Sequence, residues 1–188
     1  RRKLKYPVYV EPKIDEIRVR VKVSGYPDAP RVDFLSYADK PLHNMQQFAQ
    51  KWLEFAQSVG LYEFDCGFEV NGNFEDSSRW VKSSRGLPPD LVNAQTKFYL
   101  FDLPTHGGLL DERKAYIRAS LASTRADIYR LEHYKCHCEA EVVAAYLRFR
   151  GMGFEGAMVK EPLGEYEHGK RSQLWLKMKP EEVLDQAE

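Results

Sequence analysis

The sequence is poor in cysteine: its 188 residues contain three. That number is odd and too small for the disulfide framework of a secreted mini-domain, so a reducing, cytoplasmic setting is expected. Long apolar runs are also missing. Nothing approaches the ~20 consecutive apolar residues of a membrane span, and the basic start, RRKLKYPVYVEPK, passes straight into strand-like sequence instead of a leader. No membrane partner is expected. Net charge is absent as well, with 28 basic and 28 acidic residues. No global field therefore draws the chain to nucleic acid, although local basic strips matter more than the sum. There is no internal repeat, no low-complexity linker and no initiator Met, which reads as one processed or excised domain, expected to be a monomer. What is present is a core: 43% hydrophobic residues, with 11 Tyr, 10 Phe and 3 Trp, at a length that buries a sizeable interior.

Period-two alternation predicts early strands in YPVYVEP, IRVRVKV and RVDFLS, with GYPDAP (Gly25 to Pro30) as a turn. Leu42, Met45, Phe48, Trp52, Phe55 and Val59 recur every three or four residues and predict a helix, with Gly60 as its stop. Trp52 and Phe55 read as core. YEFDCGFEV is strand-like, and Phe74 to Asp90 reads as a polar loop. KFYLFDLP is a strand closed by Pro104, followed by a helix from about Asp111 to Ser123. ADIYRLEHYKC reads as one strand. Glu139 to Arg150 reads as a helix with Val143, Ala144 and Leu147 on its apolar side, and FEGAMVKEP and QLWLKMKP as the last strands. Antiparallel-looking strands with unevenly spaced helices predict an α+β fold.

Four of these strands carry charge that a core strand should not: Lys13 with Asp15 and Arg18; Glu69; Glu155 with Lys160; and Lys177 with Lys179. A single charge on a strand is normally a solvated one. Carboxylates and cations on several strands together suggest a site for a metal-bound polyphosphate. The cluster His133, Cys136, His137 and Cys138 invites a zinc reading, but its ligands are too tightly packed for the usual Cys-x2-Cys spacing. Arg79, Lys82 and Arg85, in the expected loop, either grip DNA phosphates or belong to a merely solvated loop.

Lys13-Ile14-Asp15 with Arg18 resembles motif I, KxDGxR, of covalent nucleotidyltransferases. FDCGFEV is similar to the motif III strand, FYLFD to motif IIIa, FEGAMVK to motif IV and WLKMKP to motif V. Order and gaps fit over about Tyr6 to Pro180, and the family most resembled is the ATP-dependent DNA ligases, particularly the small bacteriophage type. The resemblance implies a nucleotidyltransferase (ATP-grasp-like) domain: two antiparallel sheets flanked by helices, with the nucleotide in the cleft between. It implies ATP and Mg2+ or Mn2+ as cofactors, and nicked double-stranded DNA as partner. Lys13 would attack the α-phosphate, which requires the free amine. Lys177 and Lys179 would hold that phosphate, Glu155 would sit at the metal, and Glu69 would contact the ribose or a metal-bound water. Phe101, with Tyr99 as fallback, would stack on adenine, and Glu11 would accept from the adenine amino group and favour ATP over GTP. Ile14 and Lys160 complete the nucleotide-binding set, and Arg18 would touch the nucleotide or the nick phosphate.

The chain departs from the family pattern twice. Glu16 stands where motif I has glycine; in an extended segment its side chain is expected to point away from the phosphates, with a turn after Asp15. In the family an SR element supplies an arginine for the nick phosphate, whereas here LSYADKP has Ser36 followed by Tyr37. The family's oligonucleotide-binding barrel after motif V is not expected in a chain that stops at EEVLDQAE. The rival readings are an RNA ligase, a capping-type guanylyltransferase, and a decayed paralogue that binds nucleotide or DNA without catalysis.

Overall fold

The computed structural model describes residues 4–121, 127–168 and 175–178. The chain divides into two compact units. One comprises Arg1–Asp15, Gly108–Glu112 and Leu131–Glu188; the other comprises Glu16–Gly107 and Arg113–Arg130.

The second unit is built on a sheet of five strands in the order β3-β2-β4-β5-β6: β2 (Ile17–Ser24), β3 (Arg31–Leu35), β4 (Glu63–Val70), β5 (Thr96–Asp102) and β6 (Ile128–Arg130). Alternation sorts its side chains. Val19, Val21, Val23, Val32, Phe34, Phe64, Cys66, Phe68, Phe98 and Leu100 make one apolar face. That face packs on Met45, Phe48, Trp52, Phe55, Trp80 and Val81 from the helical layer. The other face carries Arg18, Arg20, Asp65, Gly67, Glu69 and Tyr99, as the register of β2, β4 and β5 requires.

The helical layer begins with a 3-10 turn (Gln46–Phe48) running into α1 (Ala49–Val59). Gly60 ends α1 at φ 67°, a left-handed position that suits glycine. This is the stop expected from sequence, and Trp52 and Phe55 are core. The expected polar loop after β4 is instead, over its first half, a helix, α2 (Phe74–Lys82), capped by the Asn73 side chain, which accepts from the Asp76 N–H at 2.8 Å. Its buried stripe is only Ser77, Trp80 and Val81, too short to register against the surrounding polarity. Next in the chain is α3 (Leu110–Ser120).

The first unit holds a four-stranded sheet in the order β7-β1-β8-β9: β1 (Val8–Lys13), β7 (Tyr134–Cys136), β8 (Gly156–Lys160) and β9 (Trp175–Met178). Val8, Val10, Ala157, Val159 and Cys136 pack on Val142, Ala145, Tyr146 and Phe149 of α4 (Glu139–Gly151). The expected α4 face was misplaced. Ala144 and Leu147 are exposed, Leu147 by 57%, because the large rings of Tyr146 and Phe149 define the buried i, i+3, i+4, i+7 stripe.

The fold is α+β with two sheets and four helices among the described residues, as expected. Two details differ. The segment expected as one strand over 126–136 is two, β6 in the five-stranded sheet and β7 in the four-stranded one. And β6 runs parallel to β5, so that sheet is mixed and not purely antiparallel. No described helix is long and apolar enough to cross a membrane.

Candidate nucleotide and phosphate site

In the first unit, register alone assembles a charged surface. The apolar side chains of β1 and β8 use one face, so Tyr9, Glu11 and Lys13 must use the other. Across the sheet Glu11 stands level with Met158 and Lys177, Tyr9 with Lys160 and Trp175, and Lys13 with Gly156, which puts no side chain beside the lysine. Lys13, at the end of β1, hydrogen-bonds through its ammonium to the Glu155 carboxylate, 142 residues later in sequence. Glu155 is itself placed by α4: Arg150 donates to the carbonyls of Phe154 and Glu155, both at 2.9 Å. Sequence reasoning missed Arg150; its place just before the Gly151–Gly153 stop was the available signal.

Glu11 is completely buried and forms a 2.6 Å ion pair with Lys160, which is 2% exposed. Trp175, also missed, lays its ring 4.0 Å from the Lys160 nitrogen. A buried carboxylate requires such a partner, since a lone charge there would be held at large cost. Ile14 follows Lys13 and is buried. Lys177 is exposed on β9, and Lys179 lies outside the described residues.

In the second unit the polar face of the five-stranded sheet holds Arg18, Glu69 and Phe101. Arg18 grips Asp65 along one guanidinium edge: Nε donates at 2.8 Å, Nη2 donates to the second oxygen, and Asp65 is fully buried. Asp65 was not among the expected residues, although the alternation Asp65, Gly67, Glu69 had already placed it on this face. Glu69 accepts from the Tyr99 hydroxyl at 3.5 Å. Burial first, then the Glu69 charge, pushes the Tyr99 phenol up to about 12, so it remains a donor through the neutral range.

Gly67 decides how closely Phe101 approaches the sheet. A Cβ there would lie 2.5 Å from Phe101 Cζ and 2.8 Å from Glu16 Cγ. Glu16 therefore packs over Gly67 on the face that bears Arg18 and Glu69, half-buried, which corrects the outward orientation expected for it. The strict alternation behind that expectation fails because Ile14, Asp15 and Glu16 belong to neither strand, as the anticipated turn implies. Gly67→Ala should cost about 1–3 kcal/mol in urea unfolding by overpacking. If Phe101 stacks on adenine, as the motif IIIa likeness implies, its displacement should also raise the ATP concentration for half-maximal self-adenylylation by about tenfold. Gly151→Ala, where a Cβ meets nothing within 4 Å, should change neither.

Arg79, Lys82 and Arg85 lie elsewhere. Arg79 and Lys82 are on α2, which packs against the apolar side of the sheet, the side opposite Arg18 and Glu69. Arg79 is committed to Asp76 at 3.2 Å and Asp90 at 2.8 Å. Cys136 is buried beneath α4, Cys138 precedes that helix, and among the described residues no three His, Cys, Asp or Glu side chains are grouped to hold a metal ion.

The family model "ATP dependent DNA ligase domain" matches residues 73–179, more than half of the chain. The chain belongs to the ATP-dependent DNA ligase domain family. The ligase domain also resembles solved structures. To the Chlorella virus DNA ligase-adenylate it is 25% identical with a TM-score of 0.69, covering 94% of this chain and 62% of that one. To the bacteriophage T7 ATP-dependent DNA ligase in complex with ATP it is 18% identical with a TM-score of 0.67, covering 93% and 62%. To a protein designated Pmar-Lig_PreS3 it is 23% identical with a TM-score of 0.71, covering 93% and 43%. The T7 and Pmar-Lig likenesses speak to fold. This ligase domain thus spans less than two thirds of the length of each. No curated protein matches its sequence.

Proposed function

We propose that this chain is the adenylyltransferase core of an ATP-dependent DNA ligase. One observation carries the reading: the motif I lysine, Lys13, and the motif IV glutamate, Glu155, meet on a sheet face that also bears Glu11, Lys160 and Lys177. Lys13 Nζ attacks the α-phosphorus of ATP, an N–P bond forms, the bond to the bridging oxygen breaks and pyrophosphate leaves. Glu155, which accepts from the Lys13 ammonium, takes its proton and so releases the free amine for attack. Lys177 and Lys179 balance charge on the α-phosphate, and Phe101 supplies an aromatic face for adenine. Glu11, fixed by Lys160, is the acceptor that distinguishes the adenine amino group from the guanine carbonyl. AMP then passes to the 5′-phosphate at a DNA nick and is displaced by the 3′-hydroxyl.

Glu155, beside Lys13 in the first unit, would hold a divalent cation; Glu69, the other carboxylate expected at the metal, belongs to the second unit. The donor set fits Mg2+ or Mn2+, hard ions that use one or two protein carboxylates and fill the remaining positions with water and phosphate oxygens. Such an ion would neutralise charge on the triphosphate.

A second reading, a decayed paralogue, draws on Glu16, whose carboxylate shares the sheet face of Arg18. Incubation with ATP and Mg2+ followed by intact-mass measurement separates the two. The expected result is one adenylyl group per chain, mapped to Lys13, from ATP and not from GTP. A chain that stays at its original mass supports the paralogue, and an adduct from GTP supports a capping-type enzyme.

A further inference from the structure

The loop after β3 is built with more care than a surface connection requires. Ser36 N donates to the Lys40 carbonyl at 2.7 Å, Lys40 N to Ser36 Oγ at 3.1 Å, and Asp39 N to the Ser36 carbonyl at 3.0 Å. Asp39 takes a left-handed φ of 56°, and its carboxylate pairs with Arg20, a buried guanidinium that also holds Glu63. The turn is thereby tied to the polar face of the sheet. Its product is the position of Tyr37, whose ring centroid lies 5.4 Å from Arg18 Cζ. The Arg18 guanidinium is thus fixed twice, along its edge by Asp65 and across its plane by Tyr37.

We propose that Tyr37 is a positioning residue for Arg18, holding that guanidinium as the ligand of a terminal phosphate on DNA. The proposal rests on the ligase reading and extends it to the position where the SR element of the family would have an arginine. Charge supports it. Asp65 compensates Arg18, and Glu16 adds a negative group on the same face, so net local charge does not draw in an anion. Recognition must then depend on a preorganised, planar fork presented in one orientation, because little entropy is lost when the anion arrives. A tyrosine face fixes orientation without adding charge, by cation–π attraction to the guanidinium.

The experiment compares the full chain with Tyr37→Leu, which keeps apolar bulk but lacks a π face, and with Tyr37→Phe, which keeps the ring. Fluorescence anisotropy at low salt gives the ratio of affinities for a nicked duplex with a 5′-phosphate and the same duplex with a 5′-hydroxyl. The unsubstituted chain is expected to prefer the phosphate. Tyr37→Leu should lower that preference by about 3- to 30-fold, and Tyr37→Phe should hold it within about twofold. Urea midpoints confirm that each variant is folded; Tyr37 is half-exposed and both replacements are apolar and smaller. A Tyr37→Leu chain with its preference intact overturns the proposal. So does a Tyr37→Phe chain that loses as much as Tyr37→Leu, or an unsubstituted chain that does not discriminate, including one that binds neither duplex. Failure of the ligase reading shows separately, as absence of the adenylyl adduct from the unsubstituted chain.

Discussion

Lys13→Ala should remove all covalent adenylyl transfer while leaving the fold nearly unchanged. Among the described lysines of its sheet face, Lys13 is the one beside Glu155: Lys160 is tied into a buried pair with Glu11, Lys135 pairs with Asp111 at 3.7 Å, and Lys177 stands across Met158 on β9. Without the amine there is no nucleophile and no adduct, so a loss of at least about a thousandfold in single-turnover labelling is expected. Stability should behave differently. Glu155 is 44% exposed and solvated after the lysine is gone, so the lost ion pair is a surface one, worth about 0–1 kcal/mol. Intact mass after incubation with ATP and Mg2+ reads the first effect, and the urea midpoint reads the second. Label retained on any other lysine would move the nucleophile elsewhere. A large loss of stability would mean that Lys13 is held for structure.

The same distinction, between what one side chain announces and what its partners decide, explains how far the sequence could be read. Alternation in IRVRVKV and the stripe from Leu42 to Val59 were legible because each segment has a single buried face of ordinary spacing. Three segments were not. In α2 the stripe is only Ser77, Trp80 and Val81 inside a run of charge, and the decisive signal, the Asn73 cap, is a single residue. In α4 apolar residues occur all round the helix, so composition could not choose between Leu147 and the Tyr146–Phe149 side; only the sheet beneath makes that choice. Between β6 and β7 the chain changes sheets across three residues whose composition gives no sign of it. At the site, motif likeness selected Lys13 and Glu155 from distant stretches, which no local pattern could have paired. Asp65, Trp175 and Arg150 escaped because their roles are toward other residues: each fixes a charged group whose own partner cannot be seen until strands are set in register.

Asp102→Ala should be the most destabilising single change considered, at about 3–5 kcal/mol. Asp102 ends β5 next to Phe101 and is fully buried; Arg113 of α3 is 1% exposed. Arg113 Nε donates to one carboxylate oxygen at 2.6 Å and Nη2 to the other at 3.1 Å, while the Leu103 N–H adds a bond at 2.9 Å. Removing the carboxylate takes a two-point charged partner from a buried guanidinium, which costs more than the pair contributes when both members are present. For a chain of this length the loss corresponds to roughly 6–20 °C in Tm. The double replacement Asp102→Leu with Arg113→Met removes both charges and should recover most of the loss, because an apolar pair needs no compensation. Lys114 donates to the Phe101 carbonyl at 3.1 Å, so α3 fastens the end of β5 at two successive residues. The single variant should therefore also weaken ATP saturation of self-adenylylation through Phe101, and the double variant should restore stability more fully than it restores ATP use. Urea midpoints and ATP titrations on the two variants decide the matter: a single variant within 1 kcal/mol of the parent, or a double variant no better than the single, would show that the buried pair does not hold this part of the sheet.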